Sequence, residues 1–395
     1  MNRKIANVRP VLEKMDGSGI RRMFALTRNR ADAVDLLLGE PDFATAPPVV
    51  SAAVDALQAG HTRYVSNLGI EPLRLAISHY LSTFERSVDP ERICVTASGI
   101  NAVSVACMAL IESGSRVITF TPQWPHHAAL SRFLGAHVSE VELLPTKQGW
   151  KLDDDWLAGF DLSGVGVIIT CSPGNPTGFV LTRKQQTELL AASRRYGFWI
   201  IADEVYERLT FESEIAPSFL DITDSDDNVI VINSFSKAWS MTGWRLGWIV
   251  APRRITTNIG KVIELTTSCA PPFVQLAGIA ALQTGESEIR NQRRLFVENK
   301  DLMIDSLSRI PGICFAPPMG GMYVFCGHTE VQDADHFCEK LLELGGVAVA
   351  PGSAFGKSGS DKFRICFARR RATVEEGCRR LQTYLESVVR ARIDA

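Results

Sequence analysis

No pair of cysteines or histidines in this 395-residue chain stands at a common metal-binding spacing. The nine cysteines are Cys94, Cys107, Cys171, Cys269, Cys314, Cys326, Cys338, Cys366 and Cys378, and they include no C-x-x-C pair. Most lie in apolar runs such as RICVTA and FRICFA, and an odd count there suits small core hydrophobes in a reducing compartment. The seven histidines form no H-x-x-x-H or H-E-x-x-H, so no metal site is expected. No apolar run approaches the roughly 18 residues of a membrane span, and the N-terminal MNRKIANVRPVLEKMDG lacks the apolar stretch of a secretory signal. A cytoplasmic protein is therefore expected. The formal net charge of −2 gives no electrostatic reason to expect nucleic acid or an anionic membrane as partner. Repeats, low-complexity tracts and long polar linkers are also missing.

What is present is a chain too long for one hydrophobic core, so two domains are expected. Short apolar runs occur at Ile93–Thr96, Val117–Phe120, Val165–Thr170, Trp199–Ala202, Val229–Asn233 and Gly247–Val250. Their continuous apolarity predicts strands buried on both faces, as in a mostly parallel sheet. Amphipathic stretches such as Asn101–Glu112 and Arg183–Tyr196 separate some of them. This is an α/β layered pattern over residues 45–285. From about residue 286 the pattern becomes α+β. A charged helical stretch, Ser287–Leu307, precedes short strands near Gly321–Cys326, Val347–Ala350 and Phe363–Ala368, with helices at Asp333–Leu344 and Thr373–Val389. Residues 286–395 thus read as a smaller domain, with residues 1–44 packing against it.

Ligands of open α/β sheets bind beyond the carboxyl ends of the strands, so the residues after each run matter most. Ala97-Ser98-Gly99 follows the first run and opens a helix at Ile100-Asn101, where free N–H groups beside a glycine make an anion site. Thr121-Pro122-Gln123-Trp124-Pro125 follows the second and offers an aromatic ring. Ser172-Pro173-Gly174-Asn175-Pro176-Thr177-Gly178 fixes an unusual turn that aims Asn175. Asp203-Glu204-Val205-Tyr206 places an acid at a buried strand end, where it needs a cationic partner. Ser234-Phe235-Ser236-Lys237 sets a lysine among small and aromatic residues, where desolvation makes an amine nucleophilic. Each segment alone fits an ordinary role in packing, ion pairing or surface charge. Together they supply an anion cradle, a ring stacker, an acid, hydrogen-bond donors and an amine on one face.

At these residues the chain resembles the class I aminotransferases, enzymes of the fold-type I pyridoxal 5′-phosphate group. The resemblance runs from Leu38-Gly39-Glu40-Pro41-Asp42-Phe43 to Phe363-Arg364-Ile365 and rests on S-P-G-N-P-T-G, A-D-E-V-Y and S-F-S-K-A-W-S-M-T-G-W-R-L-G. It implies a large domain with a mostly parallel seven-stranded sheet flanked by helices, plus a smaller α+β domain. It also implies a homodimer using pyridoxal 5′-phosphate to move an amino group from an L-α-amino acid to a 2-oxo acid, in a ping-pong cycle through pyridoxamine phosphate.

By the same resemblance Lys237 binds the cofactor as a Schiff base and shuttles the proton. Asp203 pairs with the pyridinium nitrogen, Asn175 and Tyr206 hydrogen-bond the phenolic oxygen, and Trp124 stacks on the ring. Ser98, Gly99, Ile100, Ser234 and Arg245 hold the phosphate, with Tyr64 reaching the partner subunit's phosphate. Arg364 clamps the substrate α-carboxylate, helped by Gly39, Asn175 and Trp124. A carbon–sulfur β-lyase or a cyclase on the same scaffold, and a binding regulator, are the alternatives these residues leave open. Two departures stand out. Gly320-Gly321-Met322-Tyr323 replaces a more usual small-aromatic pair, and Ile100 stands where some aspartate-specific relatives carry a lysine. With Ile20, Phe24, Ile100, Trp124 and Cys269-Ala270-Pro271-Pro272-Phe273 as candidate side-chain contacts, none cationic, a neutral donor is expected over aspartate. Arg21 and Arg22 are the two cations placed to reverse that preference.

Overall fold

The computed structural model describes residues 8–393 apart from positions 14 and 16. A seven-stranded sheet forms its centre. In spatial order the strands are Ile93–Thr96, Gly247–Val250, Val229–Ser234, Trp199–Asp203, Val165–Cys171, Arg116–Thr121 and His137–Glu142. Neighbours pair in parallel except Gly247–Val250, which runs antiparallel to both its partners. Its first residue, Gly247, therefore lies opposite Thr96 and Ser234, the last residues of the flanking strands.

Side chains alternate across a strand, so each apolar run feeds two cores. Val95, Ile168, Ile200, Val231 and Trp248 enter one core, while Cys94, Val167, Ile201, Ile232 and Ile249 enter the other. Helices Pro47–Gln58, Glu71–Ser82 and Pro272–Thr284 pack together over the first, and helices Gly99–Leu110 and Arg253–Thr266 over the second. This is why the runs read as continuously apolar. Cys94 and Cys107 are fully buried, and burial pushes their thiols up to about 12, as inert core residues require.

A four-stranded antiparallel sheet follows in the order Ile313–Phe315, Tyr323–His328, Lys362–Cys366 and Ala350–Pro351. The N-terminal segment joins this side of the molecule: Val34–Asp35 pairs in parallel with Val347–Ala348. Helix Gly19–Thr27 is tied there by Arg22, which pairs with Asp335 and Glu339. Helix Glu286–Ser308 leads from the large sheet to the small one. Among the described residues no helix is long and apolar enough to cross a membrane.

Beneath the strand end at Asp203 lies a buried charge cluster. Arg86 donates to Glu207 at 2.7 Å, to Asp221 at 2.5 Å and to the Ala216 carbonyl at 3.0 Å. Glu204 accepts from the Phe219 N–H at 3.0 Å through one oxygen, and its second oxygen is buried without a partner. Burial pushes Glu204 up to about 8, against the pull of Arg86 and with a further push from Glu207. The folded chain therefore keeps a proton that the unfolded chain loses between the ordinary carboxylate range and about pH 8. Stability must fall as pH rises through that window. Glu204→Gln keeps the acceptor for Phe219 and removes the proton, so its melting temperature should fall less from pH 5.5 to pH 8 than that of the natural protein. Equal slopes in the two melting series would mean that Glu204 is ionised in the fold.

Candidate active site

One cavity of about 380 Å³ opens at the strand ends and takes its lining from both sheets. Ser98, Gly99, Ile100, Trp124, Asn175, Asp203, Tyr206, Ser234, Lys237 and Arg245 contribute to it or border it from the large sheet, and Gly39 and Arg364 from the other side. Tyr64, singled out in the sequence as a cofactor contact, is 87% exposed and does not line the cavity.

Lys237 sits in a single helical turn, Phe235–Ala238, entered directly from strand Val229–Ser234. The Ser234 hydroxyl caps that turn by accepting from the Ser236 N–H at 3.1 Å. The lysine Nζ donates to the Gly39 carbonyl at 2.6 Å and lies 5.8 Å from the centre of the Tyr206 ring. Burial brings its amine down to about 8, and the nearby Arg364 and Arg245 push the same way. An appreciable share is then the free, nucleophilic amine near neutral pH.

Asp203 closes strand Trp199–Asp203 and is 2% exposed. Its carboxylate accepts from His127 Nε2 at 3.0 Å and from the Val205 N–H at 3.3 Å. Gln123 Nε2 donates to Thr119 at 3.1 Å and, closer still, to His127 Nδ1. With Nδ1 accepting, the ring proton is left on Nε2, facing Asp203. This relay fixes the orientation of the acid. His127 and Gln123 were invisible as site residues in the sequence, where the only trace was the i, i+4 spacing of two polar residues after a strand.

The anion end is built of close backbone approaches. Ser98 holds φ at 128° and accepts from the Asn101 N–H at 3.1 Å, which starts helix Gly99–Leu110. A Cβ on Gly247 would come within 2.8 Å of Gly99 N and of the Asn233 carbonyl, so only glycine lets the two segments meet. Arg245, left-handed at φ 56°, donates to the Thr242 carbonyl at 2.6 Å and makes no ion pair among the described residues. Ser236, also absent from the sequence-based set, joins the lining and accepts from the Ser234 hydroxyl at 3.0 Å.

Arg364 lies in strand Lys362–Cys366 and is 2% exposed. It donates to Asn175 Oδ1 at 3.0 Å and to the Leu37 carbonyl at 2.6 Å, and its guanidinium lies 4.3 Å from the centre of the Tyr323 ring. Its Nε is buried without a partner. The Tyr323 and Tyr206 hydroxyls are 3.0 Å apart, and burial raises the first to about 12 and the second well above the ordinary phenol value. A Cβ on Gly39 would lie 2.0 Å from the Tyr323 hydroxyl, so the departure at Tyr323 is matched by glycine at position 39.

Ile20, Arg21, Ile100, Trp124 and His126 also line the cavity. Trp124 stacks on His126 with ring centres 4.2 Å apart. Phe24 and Phe273, expected near the substrate side chain, pack against the core instead. The two candidate cations separate: Arg22 is engaged by Asp335 and Glu339, whereas Arg21 lines the cavity and makes no ion pair among the described residues.

The description "Aminotransferase class I and II" fits residues 31–381 of this chain. An aspartate aminotransferase from Thermotoga maritima is 34% identical over 365 residues, covering 92% of this chain and 94% of that protein. An aspartate aminotransferase from Pyrococcus horikoshii is 31% identical, covering 93% and 95%. Among solved structures, an aminotransferase from Mycobacterium tuberculosis superposes with a TM-score of 0.90 at 29% identity, covering 97% of this chain and all 100% of the other. Fold, cavity and relatives agree: the chain belongs to the class I and II aminotransferases.

Proposed function

We propose that this aminotransferase works with pyridoxal 5′-phosphate held by Lys237, and that its amino donor carries a second, side-chain carboxylate. One observation carries the reading. Arg21, Lys237, Arg245 and Arg364 line the cavity against a single carboxylate, Asp203, so the site calls for anionic ligands.

The residues fit the cofactor. Arg245 without an ion pair and the glycine-lined approach of Ser98-Gly99 to Gly247 suit a phosphate, with Ser234, Ser236 and the N–H groups of Gly99 and Ile100 as donors. Asp203, oriented by His127, suits a pyridinium nitrogen and holds a proton there. Asn175 has its Oδ1 taken by Arg364, which leaves its amide to donate toward a phenolic oxygen, as does the Tyr206 hydroxyl backed by Tyr323. Trp124 offers its ring for stacking. When bound, pyridoxal 5′-phosphate supplies an aldehyde for the donor amine and a ring that draws electrons from the reacting carbon. Arg364, with Gly39 and Asn175, binds and orients the α-carboxylate. Lys237 Nζ is placed to take the proton from the donor Cα and to hand it on to the neighbouring carbon across the new C=N bond, not back to Cα. No observation favours a carbon–sulfur lyase.

The premise for a neutral donor was the lack of a cation near the side chain, and the cavity lining replaces it: Arg21 is there although Ile100 is not a lysine. Once phosphate, α-carboxylate and cofactor engage Arg245, Arg364 and Lys237, Arg21 alone is left for a second carboxylate. Relatives named aspartate aminotransferases support the same choice.

Residues 45–285 form the large domain in this reading, residues 286–395 the small one, and residues 1–44 pack with the latter. Exposed Tyr64, and Val50, Val54 and Leu57 on one face of helix Pro47–Gln58, support a homodimer in which Tyr64 serves the neighbouring site, and a cytoplasmic location belongs to the same reading.

Borohydride reduction of the cofactor-loaded enzyme should fix the cofactor to the peptide containing Lys237 and to no other. Lys237→Ala should bind cofactor but lose at least about 10²–10⁴-fold in turnover, and ordinary turnover in that variant would remove the assignment. In steady-state assays kcat/KM for aspartate should exceed that for leucine more than about tenfold, and Arg21→Met should erase the difference. A leucine preference that Arg21→Met leaves unchanged would sink the acidic-donor reading. Light scattering at assay concentration should give a dimer, with Tyr64→Phe weakening cofactor retention. A fully active monomer would contradict that assembly.

A further inference from the structure

Six consecutive carbonyls, from Asp35 to Glu40, each accept a hydrogen bond from a named donor. Arg369 Nε donates to Asp35 O at 2.7 Å, the Cys366 N–H to Leu36 O at 2.9 Å, and Arg364 to Leu37 O at 2.6 Å. Arg369 then donates again, to Leu38 O at 2.9 Å and to Glu40 O at 2.5 Å. The carbonyl between those two, Gly39 O, accepts from the amine of Lys237 at 2.6 Å. Five of the six donors thus come from the strand Lys362–Cys366 and the turn after it, and the sixth is the lysine itself.

Arg369 is 5% exposed, and the one carboxylate paired with it among the described residues, Asp35, is 3.4 Å away with its side chain 41% exposed. Sinking a guanidinium onto carbonyls rather than a carboxylate is an inefficient way to gain stability. It is an effective way to fix a loop, because a planar fork can hold three acceptors in one geometry. The backbone that carries this arginine is itself fixed: Asn299, 1% exposed, donates to the Arg369 carbonyl at 2.6 Å and to the Phe367 carbonyl at 3.1 Å.

We propose that Arg369 is a positioning residue that locks the carbonyls on either side of Gly39, so that the Gly39 carbonyl aims the Lys237 amine from the same rigid piece that carries Arg364. The inference rests on the reading of Lys237 given above. It makes the lysine and the α-carboxylate clamp one mechanical unit: a donor seated on Arg364 bears on the segment that orients the amine. Arg369 touches neither donor nor cofactor and acts through residues 38–40.

The test uses the full chain with Arg369→Met and Arg369→Lys. A loosened Gly39 carbonyl misplaces the amine for proton transfer, so Arg369→Met should lower kcat for aspartate by between about tenfold and 100-fold. KM should move by less than about threefold, since Arg364 remains. In cofactor-free protein, the pH midpoint for modification of Lys237 by an amine-directed reagent, followed on its peptide by mass spectrometry, should fall by about half a unit, because a fixed acceptor no longer stabilises the ammonium form. Arg369→Lys, which keeps one donor, should lie between the natural protein and Arg369→Met in both readouts. If Arg369→Met does not fold, the same two shifts in Arg369→Lys decide the matter. A lower melting temperature with unchanged kcat per folded site and an unchanged Lys237 midpoint would overturn the proposal and leave Arg369 a stabilising residue. Turnover by Lys237→Ala in the same assay would instead overturn the reading of Lys237.

Discussion

Like charges gathered in a poorly solvated cavity repel one another, and their repulsion weakens only when anions come between them. Arg21, Lys237, Arg245 and Arg364 line one cavity, with Arg364 and Lys237 enclosed and Arg21 and Arg245 on its solvent-exposed side. Lys237 and Arg245 flank the strand ends of a sheet buried on both faces, and Arg364 lies in a second buried strand. Much of the site follows from this enforced proximity. Burial, with a further push from Arg364 and Arg245, makes the lysine less basic than usual, and the His127 relay orients Asp203 toward the cavity it lines.

The cavity also sits on a seam. Asn175 meets Arg364, Tyr206 meets Tyr323, and the Leu209 carbonyl accepts from the Gly321 N–H at 2.6 Å, each contact joining the two sheets at the edge of the site. Anything that fills the site therefore touches both sides at once. In the proposed reading, the α-carboxylate clamp and the reactive amine meet at this one seam, which is a compact way to make binding and chemistry depend on each other.

Much of this was legible because burial writes itself into sequence. Strands such as Ile93–Thr96 and Gly247–Val250 are continuously apolar since both faces are covered, and the turns after them are marked by proline and glycine. The edge strand His137–Glu142 left no such mark: only Val141 along it is buried, so it reads as a polar segment. The direction of Gly247–Val250 was equally hidden, because apolarity has no polarity along the chain. Two neighbouring arginines could not be told apart either. Arg22 is claimed by Asp335, 313 residues further along the chain, and only the folded chain brings that acid to helix Gly19–Thr27. The His127 relay is of the same kind, since its meaning lies in a contact with Asp203 across two strands.

The reversed strand has one more consequence. Because Gly247–Val250 returns beside Val229–Ser234, the residues from Phe235 to Leu246 form a single excursion that leaves and re-enters the sheet at the same edge. Lys237 and Arg245 both ride on it, so their separation depends on the length of this one segment, which Thr45 and Gln292 tie down at Ser240 and Lys237. The remaining site residues arrive on segments joined by long crossovers that can lengthen or shorten without changing where they end. A one-residue insertion or deletion within that excursion would shift the amine against the guanidinium, with no crossover to absorb the change. Diversification of such a site is confined to the segments that reach the mouth of the cavity, with the excursion as its fixed ruler.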